Sequence, residues 1–165
     1  MRFNEIDNTD KIDELLKKYF KITGEYSIVN GRVDVDGDCK LTAKCIKLPV
    51  KFNKVSGNFN CSSNQLTTLQ GGPTSVGEGF YCSNNQLTTL KGAPQSVGGE
   101  FYCRYDSNLP LLRLLFIKNL KLIRINNAPE DVVNYLNKYI GKGPGGALAC
   151  AAELIKAGFN RNARR

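Results

Sequence analysis

The sequence predicts an α+β fold: a short solenoid of parallel strands wound in 21-residue coils, closed by a helix at the N-terminal end and a helical hairpin at the C-terminal end. Two observations carry this. Phe59, Phe80 and Phe101 recur at one spacing, and Cys61, Cys82 and Cys103 recur at the same spacing two positions later. Outside that repeat the apolar period changes to that of a helix, on both sides. With 165 residues, 41% of them hydrophobic and 23% charged, the chain has the composition of one ordinary globular domain. We divide it into an N-terminal helical cap (1–24), a β-ribbon with its coils (25–126), and a C-terminal helical cap with a basic tail (127–165).

The first element is the helix of residues 10–21. Ile12, Leu15, Leu16, Tyr19 and Phe20 fall on one helical face, with Asp10, Asp13 and Glu14 early and Lys17, Lys18 and Lys21 late, as the helix dipole favours. Its apolar stripe is expected to cover the open end of the first coil, as a cap. A β-ribbon from Tyr26 to Val35 follows, turning at Asn30-Gly31, a pair suited to a tight hairpin. Cys39, Leu41, Ile46 and Leu48 then outline a divergent first coil.

The repeat proper is clearest in Phe59-Asn60-Cys61-Ser62-Ser63-Asn64-Gln65-Leu66-Thr67-Thr68-Leu69. This has the leucine-rich-repeat spacing L-x-L-x-x-N-x-L-x-x-L, with Phe and Cys in the first two apolar slots. Residues two apart on a strand share a face, so Phe and Cys point inward together. Asn64 and its repeat partner Asn85 are expected to form a ladder, their amides satisfying backbone groups that the turn leaves unpaired. Leu66 and Leu69, like Leu87 and Leu90, bury a second layer, and the Gly71-Gly72-Pro73 and Gly92-Ala93-Pro94 runs close each coil. Val55, Val76 and Val97 repeat in the same frame. The third copy departs from it: Asp106 stands where Asn is expected and Asn108 where Leu is. Leu120, Ile123 and Ile125 suggest one last strand, giving two sound repeats and about three degenerate ones.

Pro129 then opens a helix with Val132, Val133, Leu136, Tyr139 and Ile140 on its buried side, stopped by Gly141. The alanine-rich run Ala147–Ala157 forms a second, stopped by Gly158. Between them Gly141-Lys142-Gly143-Pro144-Gly145-Gly146 superficially suggests a phosphate loop. It fails the G-x-x-x-x-G-K-[ST] spacing and reads as a turn between helices.

Function has to be argued from what is left. Histidine is absent, which removes the commonest general base and metal ligand, and no nucleophile constellation replaces it. The inward cysteines are core residues rather than zinc ligands, and Cys39 and Cys45 have no C-x-x-C partner pair. A non-enzymatic protein without cofactor or metal is the expectation. Met1–Asp7 shows no secretory leader and no apolar run is long enough to span a bilayer, so the expected location is cytoplasmic, with free thiols and no membrane partner. The net charge is +8, with ten basic residues against three acidic ones over residues 110–165. Such a surface suits acidic partners, nucleic acid among them, and Arg161, Arg164 and Arg165 form a flexible basic arm able to touch phosphates. On the strand face, Asn60, Tyr81 and Tyr102 stand outward between the core pairs, joined by Arg104 and Tyr105. Tyrosine and arginine are the residues that interface hot spots use.

Three stretches add a likeness. Leu48-Pro49-Val50-Lys51-Phe52 through Phe59, then Tyr81-Cys82-Ser83-Asn84-Asn85-Gln86-Leu87-Thr88-Thr89-Leu90-Lys91-Gly92-Ala93-Pro94, and finally Gly146-Ala147-Leu148 with Ala152 to Phe159, resemble the small leucine-rich-repeat-like proteins encoded by tailed bacteriophages. The resemblance implies a phage accessory protein that acts on a host protein in the infected cell, as inhibitor, recruiter or anti-defence factor. A nucleic-acid binder using the basic C-terminal third, or a virion component, are the alternatives.

Overall fold

The computed structural model describes residues 8–164, so Met1–Asp7, where no secretory leader was expected, and Arg165 of the expected basic arm lie outside the described residues. Helix α1 (Asn8–Tyr19) leads directly into strand β1 (Phe20–Val29), which turns at Asn30-Gly31 into β2 (Arg32–Leu41). The helix therefore ends two residues earlier than its periodicity suggests, and the ribbon is about twice as long as expected. Phe20 and Lys21 leave the helix because they pair with Leu41 and Lys40 across the ribbon. Both readings of Phe20 bury its side chain, which is why the apolar period alone could not separate them. Ile12 and Leu16 of α1 are buried, as a cap requires.

Strand β2 organises everything after it. Along its length it pairs antiparallel with β1. Through Val33–Val35 it also pairs in parallel with β3 (Phe52–Val55), and through Cys39–Lys40 with β4 (Phe59–Asn60). One strand thus starts both walls of the solenoid. The first wall continues through β5 (Ser75–Val76) and β7 (Ser96–Val97). The second continues through β6 (Phe80–Tyr81), β8 (Glu100–Arg104) and β9 (Leu122–Asn126). For β2 to serve both walls it must bend, and it does so at Gly37, opposite Gly24. Both have positive φ, and a Cβ on either would lie within 2.0 Å of a carbonyl oxygen on the facing strand. The bend recurs coil after coil as a corner between the walls. There Gly77 sits against the carbonyl of Ser56 and Gly98 against that of Gly77, each closer than a side chain permits.

The coils thus have two strands each, not one. The repeated Val55, Val76 and Val97 mark the wall that the leucine-rich-repeat spacing leaves unassigned, and all three are fully or almost fully buried. About four coils form, and β9 starts a fifth that is not completed. Their core is a continuous aromatic pile: Phe20 and Phe52 meet edge to face at 5.1 Å, Phe52 and Phe59 at 5.2 Å, and Phe59, Phe80 and Phe101 stack nearly parallel. Cys61, Cys82 and Cys103 are buried beside them as free thiols. From the second wall the chain returns to the first through the Leu-Thr-Thr-Leu runs, whose leucines are buried.

The asparagine ladder is present. The Asn64 amide donates to the carbonyls of Cys61 and Ser62, and its oxygen accepts the Cys45 N–H of the previous coil. Asn85 repeats this one coil on, bonding Cys61, Cys82, Ser83 and Leu66. In the last full coil the pattern gives way. Asp106 turns on itself, accepting the Asn108 N–H, and Leu109 takes the inward place that Asn108 cannot fill. The return run there becomes a 3-10 helix, Leu111–Phe116, with Leu111, Leu112, Leu114 and Leu115 buried.

Helices α2 (Glu130–Tyr139) and α3 (Gly143–Lys156) form the expected hairpin. The turn is shorter than the glycine run implied. Gly143 to Gly146 already belong to α3, with Pro144 at its start, where the missing N–H costs nothing. Buried residues from Ile12 in α1 to Leu154 in α3 belong to one core. Among the described residues no helix is long and apolar enough to cross a membrane.

Candidate functional site

Register fixes what the second wall shows outward. Lys40 pairs with Asn60, Asn60 with Tyr81, Tyr81 with Tyr102, and Tyr102 with Arg124. Since Phe59, Phe80, Phe101 and Ile123 point inward, these neighbours form an outward ladder at the strand spacing of about 4.8 Å. The two tyrosines meet edge to face with ring centroids 6.5 Å apart. Both are half-buried. The Tyr81 ring lies over Gly79, so close that a side chain there would strike it, and this keeps the ring flat against the wall. Burial raises the Tyr81 phenol above its ordinary value, and the neighbouring Glu100 and Glu78 carboxylates push the same way. The phenol is a neutral hydrogen-bonding group at physiological pH.

Glu100 also pairs with Arg124, with 2.5 Å between Nε and Oε2. Next to this pair the wall ends against α2, leaving a groove of about 620 Å³. It is lined by Tyr81, Tyr102, Leu122, Arg124, Asn126 and Val133, among others. Leu122 is 36% exposed. The side-chain oxygen of Asn126 is buried without a hydrogen-bond partner. The far side is fixed by Asn137 of α2, whose amide accepts the Ile123 N–H and donates to the Ile123 carbonyl, both at 2.8 Å. It hydrogen-bonds β9 as another strand would and ends the sheet.

The five residues expected on this face divide. Tyr81 and Tyr102 line the groove. Asn60 continues their ladder, but its side-chain oxygen accepts the Ser62 N–H within its own turn. Arg104 and Tyr105 line a second, smaller cleft of about 320 Å³ with Asn85 and Asp106. Tyr105 is not a free outward aromatic: its ring packs on the core and its hydroxyl donates to Asn162 Oδ1 at 2.9 Å. Burial, followed by the charge of Asp106, raises its phenol as well.

The C-terminal tail likewise departs from the expected flexible arm. Asn162 is 1% exposed, and its amide donates to the carbonyls of Asp106 and Leu109, beside the turn where the repeat has lost its own asparagine. Arg161 bonds the side chain of Asn108, and Arg164 bonds the Arg161 carbonyl. Both arginines stay on the surface, but on a docked segment.

Sequence reading missed Arg124, Glu100 and the α2 side of the groove. Arg124 was within reach, since it lies between Ile123 and Ile125 on the expected last strand and must point outward. Its alignment with Tyr102 was hidden because the last step of the repeat is one residue longer, from Tyr102 to Arg124. The α2 wall had no sequence signal, being set by tertiary packing.

The four cysteines stacked through the coils, Cys39, Cys61, Cys82 and Cys103, are buried and held as thiols. Burial pushes the thiols of Cys39, Cys61 and Cys103 up to about 12, and that of Cys82 well above its usual value. Among the described residues no group of three or more His, Cys, Asp or Glu side chains is placed to hold a metal ion. No known protein family, no curated protein and no solved structure matches this chain.

Proposed function

We propose that the protein is a non-enzymatic binding module that grips another protein in the groove between its second strand wall and α2. The observation that carries this reading is the edge-to-face pair of Tyr81 and Tyr102, held beside an exposed leucine and the Glu100–Arg124 ion pair. Two rigid aromatics supply contact area at small entropic cost, while a neighbouring ion pair and an unpartnered amide oxygen supply direction. The likeness to phage accessory proteins suggests a host protein as the partner, met inside the infected cell.

The test is capture from a bacterial host lysate on the immobilised protein, washed at high salt so that charge alone retains nothing. The double variant Tyr81→Ala, Tyr102→Ala should lose the captured protein, and Arg124→Ala should weaken its retention. Binding that survives the double variant would exclude this groove. The small cleft at Arg104 would then be the next surface to mutate.

A further inference from the structure

The solenoid keeps most of its acidic residues off one side. Four return runs carry the chain from the second wall back to the first: residues 42–51, 62–72, 83–94 and 107–117. They contain Lys44, Lys47, Lys51, Lys91 and Arg113, all exposed, and the one acidic residue beside them is Asp106, in the turn that opens the fourth run. The other acidic residues of the coils, Asp34, Asp36, Asp38, Glu78 and Glu100, belong instead to the walls and the corner between them. No salt bridge neutralises any of the five cations among the described residues. The side opposite the corner therefore carries cations on its first, third and fourth runs, while the second run is uncharged.

This side is also ordered. Adjacent runs are tied by backbone hydrogen bonds, Gln65 N–H to Cys45, Gln86 to Leu66, Thr88 to Thr67, and Leu69 to Lys91. Between the cations the outer positions carry Gln65, Thr67, Gln70, Gln86 and Thr88, all exposed and all hydrogen-bond donors. Lys, Arg, Thr and Gln are the side chains that contact phosphate oxygens. A protein partner would need a buried apolar anchor at the centre, and the two middle runs expose no large apolar side chain, Ile46 and Phe116 being exposed only on the outer two. They hold no aromatic residue either, and Phe116 of the fourth run is the one aromatic among the four, so unpaired bases have no row of rings on which to stack.

We propose that this side is a docking surface for the phosphate backbone of duplex nucleic acid, read without regard to sequence. From the first run to the fourth is three coil steps, roughly 14 Å at the strand spacing, which spans about eight duplex charges. The surface is distinct from the tyrosine groove and does not depend on it.

The experiment is fluorescence anisotropy with a labelled mixed-sequence DNA duplex of about 20 base pairs, titrated at several salt concentrations. Five cations set a ceiling of about 4.5 on the magnitude of the slope of log K against log salt, and a slope between about −3 and −4.5 is expected. The variant Lys47→Glu, Lys91→Glu, Arg113→Glu should bind at least about tenfold more weakly with an unchanged melting temperature, each lost contact acting through the same electrostatic attraction. Tyr81→Ala with Tyr102→Ala should bind DNA as the parent does. The proposal fails if no binding is seen at low salt or if the triple variant binds as the parent does. It fails equally if Lys142→Glu with Lys156→Glu on the helical hairpin abolishes binding instead, or if polyglutamate of equal charge competes as well as DNA.

Discussion

The interior coils and the last coil solve the same problem with different material. Inside, each turn is closed by an asparagine of its own repeat, Asn64 or Asn85, reaching to the backbone of the coil beside it. At the C-terminal end the repeat has no such residue left, and two asparagines from outside take over. Asn137 pairs with the edge of β9, and Asn162 bonds the carbonyls around Leu109. At the N-terminal end no amide is needed, because β2 is one continuous strand that both walls use as a template. A repeat satisfies its backbone by translation, whereas an end has no next copy and must import donors and acceptors.

The largest expected effect falls on the interior and comes from alkali. The stacked thiols of Cys61, Cys82 and Cys103, with Cys39 nearby, are held protonated by burial. In the unfolded chain they ionise near their ordinary value of 9.0, and in the fold Cys39, Cys61 and Cys103 do so only at about 12. The unfolded state therefore binds fewer protons between these limits, and stability falls as pH rises. What burying the thiols contributes is complete below pH 9.0 and is progressively lost as pH approaches about 12. Thermal melts should show a midpoint that declines continuously from pH 9 upward, and Cys82→Ala should flatten that decline. An identical slope in the variant would mean that other groups drive the alkaline transition.

The next effect separates the ends from the interior. Asn137→Leu leaves the Ile123 N–H and carbonyl without their partner, and Asn162→Leu does the same to the carbonyls of Asp106 and Leu109. Each should cost about 1 to 3 kcal/mol, the usual penalty for stranding a buried polar group. Hydrogen exchange should rise around Ile123–Ile125 in the first variant and around Tyr105–Leu109 in the second. Protection at Phe59–Cys61 should remain. If exchange rose equally in every coil, ends and interior would be one cooperative unit and the distinction would collapse.

The same division governs what could be read in the sequence. The interior was legible because translation leaves a periodic trace: Phe59, Phe80 and Phe101 announce the core, Asn64 and Asn85 the ladder, Tyr81 and Tyr102 the outward face. The first wall was half legible, since Val55, Val76 and Val97 repeat but two-residue strands are too short to show alternation. The bend at Gly24 and Gly37 was not legible, because nothing local says that two glycines will face each other across a ribbon. Nor were the roles of Asn137 and Asn162, single residues on elements that repeat nothing. The tail looked like a basic arm because its arginines dominate the composition, while the residue that docks it is the asparagine between them.

That last contrast gives the smallest expected effect. Arg161 and Arg164 lie on the surface, and their bonds to Asn108 and to the Arg161 carbonyl are made in contact with water. Water replaces such bonds almost without loss, so Arg161→Ala with Arg164→Ala should change stability by less than about 0.5 kcal/mol. Asn162 differs because it is itself buried and its bond to the Leu109 carbonyl is buried with it, where water cannot take its place. Exchange over residues 157–164 should therefore stay slow in the double arginine variant and become fast in Asn162→Leu. Should the arginine variant release the tail as well, charge rather than the buried amide would be holding it, and the last coil would be closed from the surface.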